Sequence, residues 1–383
     1  CNGVSRGPKM NDSEYARLPA DLLARLLSDA PAAATRVREL LEPALRQRAA
    51  LRGAAEELDI IRQRVPAVAT TICAVDGGFA VERTIAVDMV MSVAVGVEGH
   101  IPAGTNSPWN DNQHDAFHTV LLHNEDNERL ARGTMLTQEL GIIADAPQDV
   151  RIYDGSHLTP VIQLNSAMSS RSREVNDAFT EHALQKGLLE SFTAFVGNPQ
   201  IIAMPKYDSS AQLSDTLSAH LDQNIPGDDR YIAGLILRGG EYTEPKQVTG
   251  PHWRELHFTG APGTSANRSG LATAMNAAAQ PLREYKLYYC YWKPHDESPA
   301  YRIEMKPELA ASAHSLAVVF DALLFQMAPP FVREPYPQYL ADVMAKSVSL
   351  GLGAMQAAAH LQLTKISQDI ASQLIHSYRT EGM

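Results

Sequence analysis

Short apolar runs alternate with longer amphipathic segments along most of the chain, and this alternation limits the possible folds more than any other feature. Val68 to Val75, Val150 to Tyr153 and Gln200 to Met204 have the length of buried strands and are too short for buried helices. Val81 to Val97, Tyr231 to Leu237, Trp253 to Phe258, Tyr285 to Trp292 and Ala300 to Met305 read as further strands. Residues 13–64 read as helical, as do Asn124 to Leu140, Arg171 to Phe195 and Ser209 to Leu221. Pro307 to Gln326, Pro337 to His360 and Thr364 to Tyr378 follow the same pattern. Strands and helices mix without a repeat period, which predicts an α/β protein with a mixed sheet flanked by helices.

With 383 residues, 45% hydrophobic and 20% charged, the chain can bury a substantial core. Residues 1–12 are expected to be a tail outside the fold, with Met10 a candidate start. Residues 13–66 form an N-terminal helical region, read either as an arm or dimerisation element or as helices folded back on the core. Residues 67–361 form the main domain and residues 362–383 a helical tail. No apolar run reaches the roughly 18 residues of a spanning helix, and Cys1 to Met10 lacks the apolar centre of a signal peptide. Cys1, Cys73 and Cys290 are too few and too scattered for a disulfide framework or a zinc ribbon, so a reducing, cytoplasmic location is expected. The net charge of -11 argues against a large exposed nucleic-acid-binding face. It is compatible with an acidic metal site whose basic track comes from a partner.

Two apolar runs end in acids. Ala67 to Val75 leads into Asp76-Gly77-Gly78, and Val150 to Tyr153 leads into Asp154-Gly155-Ser156. Each reads as a strand ended by a turn, with an aspartate held at a rigid strand end. Asp-Gly is also an ordinary turn dipeptide. Paired, the two acids suit magnesium or manganese, which take oxygen ligands. Glu139 is a third candidate: it sits near the expected C-terminal end of its helix, where an acid opposes the dipole. Lys206 follows the run Ile201 to Met204 and is placed to contact a phosphate, or else is a solvated surface lysine. The segment containing Asp111, His114, Asp115 and His118 reads as loop; the histidines would share a transition metal only if it were helical.

The chain has no phosphate-binding loop, dinucleotide fingerprint or nucleophile elbow, so it is not expected to hydrolyse ATP itself. Taken in order, its pieces resemble the NurA nucleases: Ala74-Val75-Asp76-Gly77-Gly78, Glu139-Leu140, Tyr153-Asp154-Gly155-Ser156, Ile201 through Lys206, Tyr301-Arg302-Ile303-Glu304 and Pro335-Tyr336-Pro337. The resemblance spans roughly residues 68–350. It implies a ribonuclease H-like fold and Mn2+- or Mg2+-dependent cleavage of DNA. It also implies a homodimer working with a HerA-like ATPase hexamer in DNA end processing or anti-phage defence. By position, Asp76, Glu139 and Asp154 would be metal ligands, with Tyr336 beside them and Lys206 in the catalytic set. The chain departs from the family in Asp-Gly-Gly where Asp-Gly-Ser is usual. In place of the late His or Asp of the family, Asp342 is the candidate fourth ligand. Two alternatives compete: a non-catalytic assembly module for a translocase, and a ribonuclease H-like enzyme acting on RNA. Convergence of Asp76, Glu139 and Asp154 would separate the first from a nuclease.

Overall fold

The computed structural model describes residues 19–109, 111–207, 210–249, 257–259, 266–327 and 333–374. The strands are β1 (Ile61–Gln63), β2 (Ile72–Arg83), β3 (Val87–Glu98), β4 (Gln113–Leu122), β5 (Val150–Tyr153), β6 (Ile201–Ala203), β7 (Glu241–Thr243), β8 (Lys246–Gln247), β9 (Tyr288–Lys293) and β10 (Tyr301–Met305). They form one mixed sheet in the order β1-β7-β9-β10-β6-β5-β2-β3-β4, with β8 beside β9. The centre, β2-β5-β6, is parallel, and the pairings outside it are antiparallel. The expected mixed sheet flanked by helices is therefore present.

Helices cover both faces. On one side α3 (Asn127–Asp145), α4 (Thr159–Met168), α5 (Arg173–Gln185), α6 (Leu188–Gly197) and α9 (Ala266–Ala278) meet Val75, Tyr153, Ile201 and Ala203. On the other, α10 (Pro307–Ala310) and α11 (Ala313–Phe325) meet Ile72, Ala74, Val150, Ile152 and Ile202. Successive residues of the central strands thus serve opposite cores, as strands buried on both faces must. A third cluster joins α2 (Arg48–Glu57), α7 (Gln212–Leu221) and α8 (Asp229–Ile236) to Tyr289 and Tyr291 of β9. Arg151 is buried beneath α3, where it donates to the Ile143 and Ala144 carbonyls at 3.3 and 3.0 Å. It thereby satisfies two of the acceptors that a helix end leaves open.

The N-terminal region divides between the two expected arrangements. α1 (Ala20–Arg46) buries only Ala44 among its residues and stands as an arm, whereas α2 packs on the core through Leu51, Ala54 and Ala55. The helical expectation fails at Ile61–Gln63, which pairs with β7. Residues 13–18 and 253–256, and the end of the expected Thr364 to Tyr378 helix, lie outside the described residues. No described helix is long and apolar enough to cross a membrane.

Several expectations change. The run at Tyr231 to Leu237 is the helix α8, not a strand: Asp228 caps it by accepting from the Tyr231 amide at 2.7 Å, and Ile232, Ala233 and Ile236 share one buried face. The expected loop at residues 99–118 becomes strand from Gln113, because the long β3 offers an open edge to pair with. His114 and His118 therefore lie about 13 Å apart along a strand, too far to share one ion. Glu139 is not at a helix end, since α3 continues to Asp145.

The largest change concerns Asp76. β2 does not end there but runs through Gly77 and Gly78 to Arg83. What ends is its parallel neighbour: the β2–β5 pairing stops at Val75 and Tyr153. The two glycines make room for helices on opposite faces. A Cβ at Gly77 would collide with the Glu139 carboxylate of α3, and one at Gly78 with the Ala345 carbonyl of α12 (Tyr336–Lys346). Gly78→Ala is expected to destabilise the protein by about 1–3 kcal/mol. Gly53→Ala, where nothing lies within 4 Å, should be neutral or stabilising by up to about 1 kcal/mol. Urea unfolding of the two variants checks the contrast.

Candidate metal centre

Asp154 directly follows β5, and Lys206 lies three residues beyond β6. Asp76 sits on β2 one residue past the last position paired to β5. All three open into the crevice beyond the carboxyl ends of the parallel strands, where α/β sheets place ligand sites. α12 crosses over this crevice and brings Asp342. One carboxylate oxygen from each of Asp76, Asp154 and Asp342 lies within 4.8 Å of the others. Oxygens on opposite sides of an ion with 2.0–2.1 Å bonds are about 4.2 Å apart, so a small closure would let the three share a cation.

Lys206 Nζ donates to Asp154 Oδ2 at 2.7 Å and to Asp342 Oδ1 at 2.5 Å, with Glu334 Oε2 at 4.0 Å. Lys346 donates to Asp342 Oδ2 at 2.6 Å. Gln338, also on α12, donates to Asp154 Oδ1 at 3.0 Å. Four carboxyl groups (Asp76, Asp154, Glu334 and Asp342) thus gather around two ammonium groups, with the Glu139 carboxyl behind them on the other face of β2.

This imbalance sets the protonation of the site. Burial, followed by the charge of Asp154, pushes the Asp76 carboxyl up to about 7 against the pull of Lys206 and the Gly77 amide. Glu139 is buried beneath β2, and burial with the charge of Asp76 raises it well above the ordinary carboxylate range. The Tyr153 hydroxyl donates to it and opposes part of that rise. Burial also raises Glu334, as do the charges of Asp154 and Asp342. Burial alone would raise Asp342, but its hydrogen bonds from Lys206 and Lys346 hold it below the usual range. Burial would likewise lower Lys206, but the hydrogen bonds to Asp154 and Asp342 prevail and keep the ammonium charged.

The Asp154 turn has its own support. Gly155 has φ +148°, which favours glycine. Glu304 of β10 accepts from the Ser156 hydroxyl at 2.8 Å, from the His157 amide at 3.0 Å and from Arg302 Nε at 3.1 Å. The Arg302–Glu304 pair therefore braces the strand-end turn from below. The His157 side chain, the charge of Arg302 and the His157 amide hold Glu304 down to about 2 despite its burial.

Of the positions singled out in the sequence, Asp76, Asp154, Lys206 and Asp342 come together directly. Glu139 lies against Gly77 and Tyr153 on the opposite face of β2, so the expected group of Asp76, Glu139 and Asp154 is not the one that forms: Asp342, the candidate fourth ligand, takes the third place in the cluster. Tyr336 opens α12, and its ring stacks on His100 with centroids 4.4 Å apart. It shares a helix with Asp342 but stands about 9 Å from it along the axis. Glu334, Gln338 and Lys346 were not anticipated; the first is an acid just before the Pro335-Tyr336-Pro337 segment, and the others are spaced i−4 and i+4 from Asp342 on one helix face.

A mixed sheet with an acidic crevice at its parallel strand ends defines an α/β protein with a candidate divalent-cation site. No protein-family model and no curated protein matches the sequence. Among solved structures, the chain is similar to the NurA nuclease from Sulfolobus solfataricus, with a TM-score of 0.57 and 11% identity over 91% of this chain and 98% of that one. A NurA structure determined with manganese gives a TM-score of 0.50 and 11% identity over 86% and 97%. The chain has the fold of the NurA nucleases.

Glu304→Ala is expected to destabilise the protein by about 3 kcal/mol or more, because it removes a buried carboxylate from Arg302 and the acceptor of two donors in the Asp154 turn. Glu304→Gln should recover part of that loss in the same urea unfolding experiment.

Proposed function

We propose that this chain is a metal-dependent deoxyribonuclease of the NurA type. The observation that carries the reading is the convergence of Asp76, Asp154 and Asp342, on three separate elements, within 4.8 Å. A non-catalytic assembly module has no need of such a costly concentration of acids, and an RNA-directed enzyme has no feature of this chain to recommend it. The five-strand half, β4-β3-β2-β5-β6, is read as ribonuclease H-like. Asp76, Asp154 and Asp342 would hold Mn2+ or Mg2+, with Glu139 behind Asp76 as a further acid of the centre. When bound there, Mn2+ or Mg2+ would supply Lewis-acid chemistry for phosphodiester hydrolysis, activating water and offsetting negative charge.

The protein's own groups do the rest. Gln338 and the Glu304-braced turn orient Asp154. Tyr153 orients Glu139. Lys206 and Lys346 offset the charge that a phosphate brings into an acidic crevice. Tyr336, at the opening of α12 and stacked on His100, would line the path of the DNA. With a net charge of -11, the chain fits a partner that supplies the basic track, which a HerA-like ATPase hexamer working with a homodimer of this chain would do. DNA end processing and anti-phage defence are the roles such a pair would serve. Residues 67–361 are assigned as the nuclease domain, flanked by helical segments at 13–66 and 362–383.

Asp76→Ala and Asp154→Ala should each reduce Mn2+-dependent cleavage of linear DNA at least about a hundredfold. Asp76→Asn should not melt lower than wild type, because it removes a charge that burial and Asp154 disfavour. Full activity in either alanine variant would reject the assignment.

Protonation gives a separate expectation. Since Asp76 is raised to about 7, Mn2+ binding must displace its proton below that pH. Mn2+ affinity should therefore fall by up to about tenfold per pH unit below about pH 7, as calorimetry at several pH values would measure. Without the ion the sign reverses for stability. A carboxyl whose pKa is raised on folding stabilises at low pH, so the Asp76 contribution is lost as pH rises from about 4 to about 7.

A further inference from the structure

Lys206 is seated on two of the three carboxylates that a divalent ion would need. Its ammonium lies 2.7 Å from Asp154 Oδ2 and 2.5 Å from Asp342 Oδ1, and these two residues with Asp76 make up the three-aspartate cluster. A cation bound to all three would meet a positive charge already seated between two of its ligands. The ammonium and the ion would repel each other while sharing these carboxylates.

The backbone and the side chain of Lys206 are held very differently. The Lys206 carbonyl accepts from Arg230 Nη1 at 2.5 Å, and the Met204 amide donates to the Tyr153 carbonyl at 3.1 Å. The strand end is therefore pinned to its neighbours. The side chain is 29% exposed and rests on a flexible four-carbon stem. A second carboxylate waits nearby, because Glu334 Oε2 is 4.0 Å from the ammonium. Moving toward Glu334 would free Asp154 and Asp342 while leaving Lys206 paired.

We propose that Lys206 is a built-in competitor for the divalent ion: its ammonium neutralises Asp154 and Asp342 until a cation displaces it, and so sets how tightly the centre binds metal. This rests on the metal-centre reading above. Lys206 then has two successive partners, the aspartates before the ion binds and Glu334 or a substrate phosphate afterwards. The arrangement keeps the metal-free protein stable at the expense of metal affinity.

The test uses the full chain, with Mn2+ titrated by calorimetry into wild type, Lys206→Met and Lys206→Arg, and with circular dichroism confirming that each variant is folded. Removing a unit charge a few ångströms from a divalent ion should tighten Mn2+ binding about ten- to a hundredfold in Lys206→Met. Lys206→Arg keeps the charge and should bind no more tightly than wild type. Metal-free Lys206→Met should melt below wild type, and saturating Mn2+ should close the gap. If Lys206→Met binds Mn2+ no more tightly than wild type, the competition is wrong and the metal centre stands. If none of the three proteins takes up Mn2+, both readings fall. Should Lys206→Met fail to fold, Lys206→Gln replaces it under the same criteria.

Discussion

The site depends on how closely two helices approach one strand. β2 is flanked by α3 on one face and α12 on the other, and both meet it at Gly77 and Gly78. Alternation along a strand sends the two positions to opposite faces, so each glycine clears the way for a different helix. Gly77 admits Glu139, and Gly78 admits the backbone of α12 around Ala345. Asp76 points to the same face as Gly78, so the approach that Gly78 permits is also what brings Asp342 to Asp76. A side chain at Gly78 would push α12, and with it Asp342, away from the cluster, and one at Gly77 would displace Glu139 behind it. The Asp-Gly-Gly sequence, which departs from the Asp-Gly-Ser of the resembled family, has its physical reason here: it is a double window in a continuous strand, not a turn.

That misread turn shows where sequence reasoning reaches and where it stops. Asp154 was legible because the strand before it is short, fully buried and followed by Gly155 and Ser156, which do form a turn. Asp76 was legible as a candidate for the same reason, although the mechanism inferred for it was wrong. Whether a strand ends at a glycine pair depends on β3, which pairs with it throughout, and such long-range pairing leaves no local mark. Glu139 was selected through the helix dipole, an argument the longer α3 removes; its distinction is burial against Gly77. Glu334 escaped notice because its role comes from a contact with Lys206, more than a hundred positions earlier in the chain. α8 and β4 were misassigned for related reasons. A short apolar run carries no decisive period, and the edge strand β4 packs on the core through little more than Phe117 and Leu121, which leaves a sparse apolar pattern to read.

The electrostatics of the crevice explain why the rest of the fold is so firmly braced around it. Gathering four carboxyl groups in a partly buried crevice, with Glu139 buried behind it, opposes folding, since burial and mutual repulsion both disfavour their charged forms. The protein meets this cost in three ways. It leaves Asp76 and Glu139 inclined to hold protons, it inserts Lys206 between Asp154 and Asp342, and it fixes Asp154 through Gln338 and the Glu304-supported turn. Each device is also one that a divalent cation would relieve: the ion would replace the protons, take over from Lys206 and find Asp154 already oriented. The energy held back in folding is thereby available to binding. A crevice built only for stability would carry apolar residues or matched ion pairs here, and its acids would not need a lysine seated among them. The excess of acids over bases, arranged on three independent elements and paired by a displaceable ammonium, is what distinguishes a centre that awaits a cation from a surface that happens to be acidic.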